Sequence, residues 1–83
     1  MDRHPEFRTN DLDLSAAIWT ETDERPTTQP GKSLIEFVFK GDVNNVVCAY
    51  ASGLLVQDVR KFAARRGLLY RLAREAAATG GAR

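Results

Sequence analysis

Leu34-Ile35-Glu36-Phe37-Val38-Phe39 sets one charged residue among five large apolar ones. Such a run forms a strand and needs cover on at least one face. Alternation puts Ile35, Phe37 and Phe39 on one face, to meet helices. Leu34, Glu36, Val38 and Lys40 fall on the other, which is half apolar and so unlike a fully solvated surface. A partner, a second copy or the N-terminal segment is expected to cover it. Helical periodicity follows, so Ser33–Ala78 carries most of the core-forming side chains.

A chain of 83 residues makes one domain, 1–83, with a single modest core. The polar ends, 1–6 and 79–83, are expected to be disordered tails. No long apolar run offers a membrane span. Met1-Asp2-Arg3-His4-Pro5 lacks the basic-then-apolar pattern of a secretion leader. The one cysteine, Cys48, cannot form an internal disulfide. These features point to a reducing cytoplasm.

Phe7-Arg8-Thr9 reads as a short edge strand with Phe7 inward. Thr9 or Asn10 caps a helix over about 11–20, with Asp11 and Asp13 in its first turn. Leu12, Ala16 and Trp19 make one side of it apolar, and Trp19 belongs to the core. Glu21–Gln29 is a polar loop, or a loop entering an edge strand near 25–29, where Pro26 is tolerated. Gln29-Pro30-Gly31-Lys32 has the composition of a type II turn, with Gly31 at positive φ. It would join 25–29 to 33–40 as a hairpin.

Gly41 ends the strand and Asp42 caps a helix from about 43 to 52, with Val43, Val46, Val47 and Tyr50 inward. Cys48 reads as a small buried hydrophobe or an inert thiol. Gly53 ends that helix at positive φ, and Leu54-Leu55-Val56 crosses the core. A last helix spans about 57–78. Val59, Phe62, Leu69, Tyr70, Ala73 and Ala77 form its apolar side; Arg60, Arg71, Arg74 and Glu75 form the polar one. Arg66 lands on the apolar side and must snorkel or pair with a carboxylate. The fold class is therefore α+β: an N-terminal helix, a small antiparallel sheet (hairpin plus short edge strand), and two C-terminal helices packed on one sheet face.

The net charge of +1 conceals an asymmetry. Residues 1–30 carry three Lys/Arg against seven Asp/Glu, and residues 31–83 carry nine against four. Either the acidic front neutralises the basic back within the fold, or a basic face remains for an anionic partner.

The spacing Phe7-x-Thr9-x-Asp11-Leu12-x-Leu14-x-Ala16-Ala17 recurs with Phe37-x-Phe39, Tyr50 with Gly53, and Val59-x-x-Phe62 with Arg66, Leu69 and Leu72. Over about 7–72 the chain resembles an uncharacterised family of small domains from bacteria and their phages. That resemblance implies an α+β fold and a mobile-element setting, and brings no active site.

Gly31-Lys32-Ser33 looks like the end of a phosphate-binding loop. The earlier glycine such a loop requires is replaced by Pro26, and a strand follows where a helix is needed. One histidine, His4, and one cysteine cannot build a structural zinc site, which takes about four such ligands. Capping accounts for Asp11 and Asp13 better than acid–base chemistry does. Neither an enzyme nor a cofactor is expected.

Two function classes stay open. One is a small non-enzymatic interaction protein, phage or mobile-element encoded, that binds and inhibits a larger host protein. An anti-defence inhibitor such as an anti-CRISPR protein is the concrete form. Its contacts would be Arg60, Lys61, Arg65, Arg71 and Arg74, with Glu36 and Lys40 secondary. The other is a helix-turn-helix-like DNA-binding regulator using the helices of residues 43–74, with Gln57, Arg60, Lys61 and Arg65 entering a groove. A homodimer, through the strand face or a free edge strand, is compatible with both.

Overall fold

The computed structural model describes residues 5–80, and the ends 1–4 and 81–83, with His4, lie outside it. Its elements are β1 (Glu6–Thr9), α1 (Leu12–Thr22), β2 (Thr27–Pro30), β3 (Ile35–Lys40), α2 (Asn44–Ala51) and α3 (Val59–Gly80). They form an α+β domain with an antiparallel sheet of order β1-β3-β2. Glu6 and residues 79–80, expected in the tails, belong to β1 and α3.

The strand read from sequence is the central one. Phe37 and Phe39 are buried with Ala16, Ile18, Trp19, Val43 and Leu69, and Ile35 is half-covered near the sheet's end. On the opposite face Val38 is only 3% exposed. Arg8 and Thr27 stand opposite it in the flanking strands. Arg8 also reaches Glu6 at 3.3 Å and Glu36 at 3.8 Å. The N-terminal strand therefore helps close that face, and of its two apolar side chains only Leu34, in the turn, is left exposed.

Asp11 caps α1, accepting the Leu14 N–H at 3.0 Å, while Thr9 Oγ1 accepts the Asp11 N–H at 3.0 Å. The cap thus falls one or two residues later than Thr9 or Asn10. One-sided burial of α1 also needs correction, because every residue from Ser15 to Thr20 is buried. The helix lies between α3, α2 and the sheet, so it has no broad solvent face. Its end is Asp23 at φ 59°, a left-handed position usually given to glycine, with its N–H on Trp19 O at 2.8 Å.

The hairpin departs from the type II expectation. The Gly31 N–H bonds Leu34 O at 2.9 Å, and the positive-φ glycines are Gly41 and Gly53. Gly31 is required for close approach: a Cβ there would sit 2.5 Å from Leu34 O. Since Gly31 bonds inward, Pro30, Thr28 and Pro26 turn their nitrogens to the free edge of β2. Two of these three carry no N–H, which blunts the edge against further pairing. Gly31→Ala is expected to lower stability by about 1–3 kcal/mol through that clash. Gly67 runs through mid-helix in open space, so Gly67→Ala should raise stability by up to about 1 kcal/mol. Paired thermal melts check both signs.

Asp42 accepts the Asn44 N–H at 3.0 Å just before α2. Gly53 closes α2 as expected at φ 73°, with the Leu54 N–H on Ala49 O at 2.9 Å. Cys48 is exposed, not buried. The segment Leu54–Val56 does not cross the core. It runs over the surface, with Leu54 and Val56 outward and Leu55 half-covered.

Candidate interaction surface

α3 has one inner face, and it is turned from the one read off periodicity. Leu69 is fully buried, and Phe62, Leu72 and Ala73 pack on the core. Val59 and Tyr70, expected inside, are exposed. Arg65, expected outside, points in. Its guanidinium stacks over the Trp19 ring at 5.0 Å, donates from Nη1 to Trp19 O at 2.7 Å, and meets Asp23 through Nη2 at 2.9 Å. Lys61 reaches the same Asp23 carboxylate at 3.4 Å. Arg25 lies over the indole at 6.0 Å. An exposed tryptophan ring would cost more than a guanidinium laid across it, and the arginine also satisfies a carbonyl at the negative end of α1.

The two cations hold the Asp23 carboxyl below the usual carboxylate range, the Arg65 hydrogen bond contributing most. Arg66 pairs with Asp13 at the other end of α1, as its position on the apolar side required. Gln57 donates from Nε2 to Ala17 O at 2.7 Å and to Glu21 Oε1 at 3.2 Å, fastening the segment before α3 across α1. Tyr50 sits where burial, with Asp11 and Asp13 nearby, pushes its hydroxyl pKa up. The acidic front does neutralise part of the basic back, residue by residue.

The candidate contacts therefore separate into two groups. Lys61, Arg65 and Gln57 are engaged with α1. Arg60, Arg71 and Arg74 are exposed and make no ion pair among the described residues. At about 100° per residue they share one stripe of α3, and 14 residues at about 1.5 Å each span roughly 21 Å. Arg74 lies over the Tyr70 ring at 5.8 Å. Small residues, Ala63, Ala64 and Gly67, fill the stripe between Arg60 and Arg71 and leave its surface low. The secondary candidates, Glu36 and Lys40, stand on the far face of the sheet, where Glu36 is tied to Arg8.

The helix-turn-helix arrangement places its helices across a short turn of about three or four residues. Here Ser52–Asp58, seven residues, separates α2 from α3. Of the four groove candidates only Arg60 is free of α1. Among the described residues no three His, Cys, Asp or Glu side chains come together as a metal site, and no helix is long and apolar enough to cross a membrane. Comparison with protein-family models, curated proteins and solved structures finds no match to this chain.

Proposed function

We propose that this protein is a small non-enzymatic binding protein that holds a larger partner protein through the Arg60–Arg71–Arg74 stripe of α3. The observation that carries this reading is the division of the cations of α3. Lys61 and Arg65 are committed to Asp23, the cap of α1, and Arg66 to Asp13 within it, while the three on the outer stripe have no carboxylate partner among the described residues. Planar guanidinium groups on a rigid helix suit bidentate contact with carboxylates, and arginine is enriched at interface centres. The matching partner surface is acidic and about 20 Å long. Following the phage and mobile-element resemblance, that partner is a host defence protein whose action is blocked, with an anti-CRISPR protein as the specific form.

The test is affinity capture with the wild-type chain and with Arg60→Glu/Arg71→Glu/Arg74→Glu, read by mass spectrometry. A specific partner held by wild type and lost at least tenfold in the variant is the expected result. Equal recovery by both removes the stripe from the interface. DNA is the alternative occupant of a basic stripe. Titration of labelled duplex at about 50 mM and 200 mM salt separates the two, because phosphate contacts give a steep loss of affinity with salt. Tight, salt-sensitive duplex binding by wild type would replace the protein partner with nucleic acid.

A further inference from the structure

We infer that two copies of this chain associate through the strap before α3 and the adjoining stripe of that helix. In the strap, Leu54 and Val56 are 76% and 89% exposed, alternating with the inward Leu55 and Gln57. Val59 follows at 78%, and Tyr70, on the same side of α3, is 52% exposed. At about 100° per residue Val59, Ala63, Tyr70 and Ala77 lie within roughly 40° of one another. This apolar surface borders the arginine stripe, sharing Ala63 and Arg60 with it, and Arg74 lies over the Tyr70 ring at 5.8 Å; the inference does not rest on the function proposed above.

Two considerations select a second copy. The first is area. Four such side chains offer on the order of 300–400 Å² of apolar surface. The two exposed alanines, Ala63 and Ala77, add to that. One side of a standard interface needs about 500 Å² of apolar area, so the patch is enough for a compact dimer. The second is charge. Asp58 and Arg60 flank Val59 in sequence. A two-fold crossing over Val59, with the α3 helices antiparallel, sets Asp58 against Arg60 of the copy, twice. Asp58 Oδ1 already accepts the N–H groups of Arg60 and Lys61, leaving its other oxygen uncommitted among the described residues. The same crossing carries Arg71 and Arg74 of the two copies roughly 18–22 Å from the axis in opposite directions, so like charges do not meet. Two other routes to a dimer are weaker. The free edge of β2 is proline-blunted, and Val38 on the outer sheet face is already covered.

Light scattering on the full chain at about 100 μM tests this. Twice the 9.2 kDa chain mass is expected for wild type, and the single-chain mass for Val56→Asp with unchanged far-ultraviolet circular dichroism. Leu54→Ser is the milder companion and should weaken the dimer at least tenfold. Arg71→Glu, which leaves Arg74 over Tyr70 in place, should stay dimeric even where it weakens the hold on the acidic partner. A monomeric wild type overturns the inference. So does a folded Val56→Asp chain that remains dimeric, since the contact then lies elsewhere.

Discussion

Phe39→Ala is expected to cost about 3–5 kcal/mol of folding stability. Phe39 is one of the largest fully buried side chains, on the central strand and beneath the helices. Removing its ring leaves a cavity that neither the sheet nor α1 can close without losing its own packing. A domain of this size holds roughly 4–12 kcal/mol in total, so the variant should be partly unfolded at room temperature. Urea melts followed by circular dichroism measure the change in midpoint. Val38→Ala, one residue away on the other face, should cost about 1 kcal/mol, because small polar and charged neighbours cover it. Equal losses at the two positions would mean that the strand does not have one core face.

Arg65→Ala is expected to cost about 2–3 kcal/mol, a large effect for a charged helix residue. The arginine side chain is 20% exposed and joins the indole, the Trp19 carbonyl and Asp23 at once. Arg65→Lys keeps the charge but cannot lie flat on the ring while donating to two acceptors, so it should recover less than half of the loss. Trp19 fluorescence should shift to longer wavelength in the alanine variant as water reaches the ring. The pH dependence supplies a second reading. Asp23 has its folded pKa depressed below 3.8 by Arg65 and Lys61. Its contribution is present above the unfolded value and is lost as pH falls through the lower folded one. The acid limb of a stability–pH curve should therefore flatten in Arg65→Ala. An unchanged acid limb together with a loss below about 0.5 kcal/mol would reduce the cluster to an ordinary surface ion pair.

The second effect arises at the junction of α1 and α3, and this junction was the part least visible in the chain. Trp19 could be assigned to the core by its spacing from Leu12 and Ala16. That an arginine 46 positions later would cover its ring could not, because the pairing joins distant residues and has no periodic signature. Arg66 was partly legible for the opposite reason: a cation on an otherwise apolar stripe must snorkel or pair with a carboxylate, and the structure takes the second course with Asp13. Cys48 was misread because a small apolar residue in an eight-residue helix fits either side. The strap was misread because Leu54-Leu55-Val56 is apolar enough for a core crossing, while Gln57 binds it to the outside of α1. Gly31 was correctly placed in a turn, but the demand it meets is closeness to Leu34 O, which no local rule announces.

The amino-acid sequence alone determined the α+β class, the central strand with Phe37 and Phe39 inward, and the ending of α2 at Gly53, while Gly67 left α3 free either to continue or to break. These follow from period-two and period-3.6 patterning and from capping, which act within a few residues. Only the tertiary structure decided which side of α3 faces in and which arginines remain outside. Rotating that helix by half a residue exchanges apolar for cationic neighbours at little local cost. The choice is then made by what α1 and its cap present across the gap: an aromatic ring, the second lone pair of the Trp19 carbonyl and the Asp23 carboxylate, all suited to Arg65.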